Sequence, residues 1–116
     1  MPEGAVDHAV FVVHSTPTDL WPPSDDELAA HIEFIQQLNS SRTTFLSGPL
    51  LGKDDAWDGN GVTAIRAESL DDAIRIMTDE PLALAGRRQQ TIHRWAITSG
   101  CLTISLSVSD AGTRTA

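Results

Sequence analysis

The stretch that most restricts the fold is Asp7–His14, DHAVFVVH. It is β-branched and apolar enough to form a strand. Alternation puts Val10 and Val12 on one face and Ala9, Phe11 and Val13 on the other, so both faces are apolar at mid-strand and both need cover. A strand of this kind belongs at the centre of a sheet. His8 and His14 mark its ends, on the side of Val10 and Val12. The following Ser15–Pro23, STPTDLWPP, holds three prolines and is expected as a loop.

Ser24–Leu38, SDDELAAHIEFIQQL, is the clearest helix. Ser24 with Glu27 three residues later forms a capping box, and Asp25 and Asp26 add negative charge at the positive end of the helix dipole. At about 100° per residue, Leu28, His31, Ile32, Phe34, Ile35 and Leu38 share one broad arc, so a titratable ring lies inside the apolar stripe. Burying an imidazole unpaired costs on the order of kcal/mol. His31 therefore requires either a hydrogen-bond partner, as a satisfied structural histidine has, or a cavity, as a functional one has.

Arg42–Leu46 reads as a second strand closed by Ser47, Gly48 and Pro49, and Gly61–Ala67 as a third, paired with it in a hairpin. The acidic connection GKDDAWDGNG lacks the alternating ligands and closing Glu of a calcium loop. Ser69 opens a second helix whose Leu70, Ala73, Ile74 and Met77 recur on one side, running to about Thr78, where Asp79-Glu80-Pro81 interrupts it. Leu82–Arg88 reads as an apolar linker with a glycine stop. Gln90–Ile97 is a fourth strand, with Thr91, His93, Trp95 and Ile97 on one face. Cys101–Ser109 alternates as a fifth, half-buried strand, and residues 110–116 as a tail.

The order β-α-β-β-α-β is ferredoxin-like and predicts an α+β fold with one extra C-terminal strand, in a single domain over residues 1–109. Helices then cover one face of the sheet, and the other face predicts a homodimer packed sheet against sheet.

Composition narrows the partners. Sixteen acidic against eight basic side chains give a formal charge of −8 with no basic stripe, which argues against nucleic acid. No apolar run approaches the roughly 20 residues of a membrane span, and the N-terminus carries no basic region followed by a long apolar one. A soluble, cytoplasmic protein is expected. The single cysteine, Cys101, cannot form an internal disulfide and is expected as a small buried or strand residue. His8, His14, His31 and His93 show no short ligand spacing, so no metal is assigned. A nucleophile elbow and a glycine-rich phosphate loop are both missing. Arg87-Arg88 reads as a solvated pair, with anion binding as the alternative.

The helix with a histidine in its second turn (ELAAHIEFIQQL), the strand ending in SGP, the segment DEPLALAG and the strand ending in HRW together resemble the YCII-related proteins, over Val6–Trp95. Those are small dimeric α+β barrel proteins. The resemblance implies an active-site pair of the helical histidine and an aspartate just before the proline, which here become His31 and Glu80. Glutamate stands where the family has aspartate, and Asp79 is the alternative acid. It further implies a small-molecule ligand or substrate, no cofactor, and lyase chemistry such as removal of hydrogen chloride from a chlorinated hydroxyhydroquinone. Related barrels isomerise lactones, oxidise quinols or handle haem. Trp95, His93 and the face of Val10 and Val12 would line the pocket, with Ser47 and the backbone at Gly48 approaching an oxygen. Two readings follow: a small lyase or isomerase that moves a proton through His31, and a non-catalytic module that binds a small ligand in the same place.

Overall fold

The computed structural model describes residues 9–101. The elements run β1 (Ala9–Pro17), α1 (Asp25–Ser40), β2 (Thr44–Pro49), β3 (Gly61–Ala67), α2 (Leu70–Thr78), α3 (Pro81–Leu84) and β4 (Arg88–Trp95). All strands pair antiparallel in one sheet of order β2-β3-β1-β4. Each βαβ half thus supplies one central and one edge strand, which is the ferredoxin-like α+β arrangement.

β1 is central, as its two apolar faces demand. On one side Phe11 and Val13 bury with Ile65 and Ala67 of β3 and Ala73 and Met77 of α2, and Phe34, Leu38, Ile76 and Ile92 close around them. Burying side chains of this size contributes about 1.5–3 kcal/mol each. The opposite face follows from the register. Val10 lies between Arg66 and Trp95, Val12 between Ala64 and His93, and His14 between Val62 and Thr91. The described helices pack on the Phe11 side, so this second face keeps an apolar middle with Leu46 40% and Trp95 42% exposed at its margins.

Several boundaries differ from the sequence expectation. β1 continues to Pro17 because Ser15 still pairs with Gly61 and Gln90, and Pro17 with Arg88. Beyond Ser15 only β4 runs alongside, so the proline's missing N–H does not interrupt two ladders. Gly48 and Pro49, expected to close the second strand, belong to β2, opposite Val62 and Gly61. Their strand is at the sheet edge, where proline is tolerated. The expected linker after Pro81 is instead the short helix α3, and β4 starts two residues early, at Arg88. Cys101 is exposed rather than buried. His8, the remainder of the fifth strand (residues 102–109) and the tail lie outside the described residues.

Candidate active site

The capping box fixes where α1 begins: Ser24 Oγ accepts the Glu27 N–H at 3.1 Å and Glu27 Oε1 accepts the Ser24 N–H at 2.9 Å. That start aims His31, in the second turn, inward, and it is the one residue of α1 that is fully buried, at 5% exposure. The partner its burial calls for comes from the helix break. Asp79 caps the end of α2, and Pro81 opens α3 at a position where a missing N–H costs nothing. Glu80, caught between them in extended conformation, is 1% exposed. Its Oε2 lies 2.9 Å from His31 Nδ1 and accepts the Leu82 N–H at 2.9 Å.

A third group completes the cluster. Arg88, 7% exposed at the start of β4, donates from Nη2 to Glu80 Oε1 at 3.3 Å and from Nη1 to the Gly59 carbonyl at 3.1 Å. Its Nε is buried without a hydrogen-bond partner. Gly59 has φ +111°, and a Cβ there would come within 3.0 Å of both Pro17 and the Trp21 ring. Only glycine fits this turn without strain. Trp21 meets Trp57 edge to face, with centroids 5.4 Å apart. The neighbouring Arg87 reaches the other way, to Glu27 Oε1 at 2.9 Å and the Leu20 carbonyl at 2.6 Å. Neither arginine is the solvated residue expected from the sequence. Two successive arginines just after the glycine stop were the available signal, since alternation along an extended chain sends their side chains to opposite sides.

Burial pushes the Glu80 carboxyl up. The hydrogen bonds from His31 and Leu82 and the positive fields of His31 and Arg88 outweigh that, so it sits below its ordinary value of 4.5. An ionised Glu80 accepts from Nδ1–H and so fixes the neutral ring as the tautomer with its lone pair on Nε2. Among the described residues nothing hydrogen-bonds Nε2. Such a ring can take up a proton and return it, and the carboxylate stabilises the cation formed between.

The other residues singled out from the sequence lie elsewhere. Asp79 is exposed. Ser47 sits on the edge strand β2, its hydroxyl 3.0 Å from that of Thr63, and Gly48 has open space where a side chain would be. His93 and Trp95 belong to the sheet face away from the described helices, whereas Ile92 joins the core and Gln90 bonds the Met77 carbonyl of α2 on the helix side. The fold does not bring these four to His31. An open groove of about 260 Å³ runs along α1, lined by Ala30, Glu33, Phe34, Gln37 and Pro81. It adjoins the cluster through Pro81, yet neither His31 nor Glu80 lines it. No group of three or more His, Cys, Asp or Glu side chains is placed to hold a metal among the described residues.

The YCII-related domain model matches residues 8–96, which span every element described above. The chain belongs to the YCII-related family. Among solved structures, the YCII-related chain is similar to the 5-chloro-2-hydroxyhydroquinone dehydrochlorinase TftG from Burkholderia phenoliruptrix AC1100, in complex with 2,5-dihydroxybenzoquinone. The TM-score is 0.58 at 23% identity, over 75% of this chain and 93% of that one. At that identity the likeness establishes a shared fold. No curated protein matches the YCII-related chain. No described helix is long and apolar enough to cross a membrane.

Proposed function

We propose that this YCII-related protein is a small-molecule enzyme of lyase or isomerase type, in which His31 moves a proton and Glu80 orients its ring. The observation that carries the reading is the 2.9 Å contact between Nδ1 and a carboxylate, with Nε2 left unengaged among the described residues. In an elimination from the keto tautomer of a chlorinated hydroxyhydroquinone, Nε2 takes the proton of a ring hydroxyl and the O–H electron pair becomes the new carbonyl π bond. The adjacent ring π pair shifts toward the carbon that bears chlorine, and chloride leaves with the electrons of the C–Cl bond. Glu80 meanwhile stabilises the imidazolium. The step as written draws on no cofactor, and a positioned base of this kind contributes about 10²- to 10⁴-fold. A small, aromatic or chlorinated substrate is supported by the name of the structural neighbour. The sheet face away from the described helices, where Leu46 and Trp95 are exposed, supports a homodimer packed through it, in which His93 and Trp95 face the partner.

His31→Gln is expected to abolish chloride release from a chlorinated hydroxyhydroquinone while leaving the far-ultraviolet circular dichroism unchanged; a variant as active as its parent refutes the reading. Sedimentation at micromolar concentration should show a dimer, and a monomer alone would remove that part.

A second reading, a non-catalytic module that binds a small ligand or partner, is favoured by the burial of the pair and by a groove that contains neither of its members. It predicts ligand retention without turnover, unaffected by Glu80→Gln.

A further inference from the structure

We propose that Arg88 is a positioning residue for the His31–Glu80 pair: anchored on the Gly59 carbonyl, it holds Oε1 of Glu80 and thereby fixes Oε2 on His31 Nδ1. The significance of the inference for turnover rests on the catalytic reading of the pair, whereas the geometry does not.

A carboxylate turns readily about its terminal torsion, which is broad and two-fold. Glu80 is denied that freedom because both oxygens are engaged, Oε2 by His31 and Leu82 and Oε1 by Arg88. The arginine is itself held at both ends of its fork, by Gly59 in the β2–β3 connection and by Glu80 before α3. The charged and titratable groups meeting Glu80 are His31 from α1 and Arg88 from β4, and α3 adds the Leu82 N–H. Glu27 is taken by Arg87, and Asp79 is exposed at the end of α2.

Removing the guanidinium leaves Oε1 buried with no donor, a costly condition that a carboxyl group relieves by binding a proton. A protonated Glu80 can donate, and it no longer requires the proton of the ring to sit on Nδ1. Arg88 thus decides which nitrogen of His31 keeps its lone pair.

The test is nitrogen NMR of the full chain labelled with ¹⁵N-histidine, following the His31 ring across pH. In the parent, the neutral ring should carry its proton on Nδ1 alone. Arg88→Met should give mixed tautomers and raise by about one unit the pH at which the pair takes up its proton. Phe11→Leu, a core variant outside the hydrogen-bonded cluster, should lower stability without moving either readout. Arg88→Gln, which keeps a donor for Gly59 but no charge, gives the same two outcomes if the methionine variant does not fold. An unchanged tautomer and midpoint overturn the proposal. The two readings fail separately. Turnover surviving in His31→Gln removes the catalytic role and leaves the ring signals of the Arg88 variants to stand, while an inactive His31→Gln with an unmoved tautomer removes only the role of Arg88.

Discussion

Replacing Glu80 by glutamine keeps the shape of the side chain and should nevertheless cost about 3–5 kcal/mol, the usual penalty for breaking a buried ion pair by removing one partner. Three donors converge on this carboxylate: His31 Nδ1 and the Leu82 N–H at 2.9 Å on Oε2, and Arg88 Nη2 at 3.3 Å on Oε1. Glutamine has one carbonyl. Left toward His31, it turns its NH₂ on the Arg88 guanidinium; turned toward Arg88, it sets its NH₂ against the Leu82 N–H. Either way two donors face each other in a site 1% exposed, and Arg88 loses its counter-charge. With about 5–15 kcal/mol of total stability the variant still folds, and its urea midpoint falls by about 2 M for a slope near 2 kcal/mol per molar. Equilibrium unfolding followed by the fluorescence of Trp21 and Trp57 measures this. In Glu80→Gln/Arg88→Met the conflict disappears, so the double variant should cost about 1–3 kcal/mol less than the sum of the singles. A single cost below about 1 kcal/mol, or additivity within about 0.5 kcal/mol, refutes the argument.

The lowered titration of Glu80 sets the sign of a pH effect. Its contribution is present in full above the ordinary value of 4.5 and is lost as pH falls through the lower folded value, so parent stability should drop more steeply than that of Glu80→Gln below pH 4.5. Equal slopes in acid unfolding curves count against it. Gly59→Ala should destabilise by about 1–3 kcal/mol, because φ +111° and the Trp21 ring at 3.0 Å both oppose a Cβ. A melting temperature equal to the parent's shows that the turn yields. Ser24→Ala removes the capping box of α1 at a cost of about 1 kcal/mol, read by the same unfolding assay and refuted by an unshifted midpoint.

Local chemistry carried much of this fold. The capping residues Ser24 and Ser69, the two-sided apolar β1 and the break before Pro81 each depend on neighbours in the chain, and the elements form where those signals stand. What local signals missed was set by pairing. Gly48 and Pro49 read as closing the second strand but are held extended within it by Val62 and Gly61, and β4 begins at Arg88 because Pro17 lies opposite it. The same division applies to the candidate site. A stripe histidine demands a partner, and the helix break points to Glu80. That Arg88 is buried beside it follows from a contact with Gly59, 29 residues earlier, which no periodicity encodes. His93 and Trp95 illustrate the converse: their shared face was readable from alternation, while its separation from His31 required knowing which side the helices take.

The His31–Glu80 bond spans 49 residues, with one member in each βαβ half. Closing a chain segment of that length costs on the order of 3.5 kcal/mol beyond a constant, and neither half alone contains both groups. The contact is thus a product of docking rather than its cause. In stopped-flow experiments Glu80→Gln should speed unfolding while leaving refolding nearly unchanged, and a refolding rate that falls in step with stability would instead put the pair in the folding nucleus. Competence at this site therefore belongs to the docked pair of halves and to neither half alone.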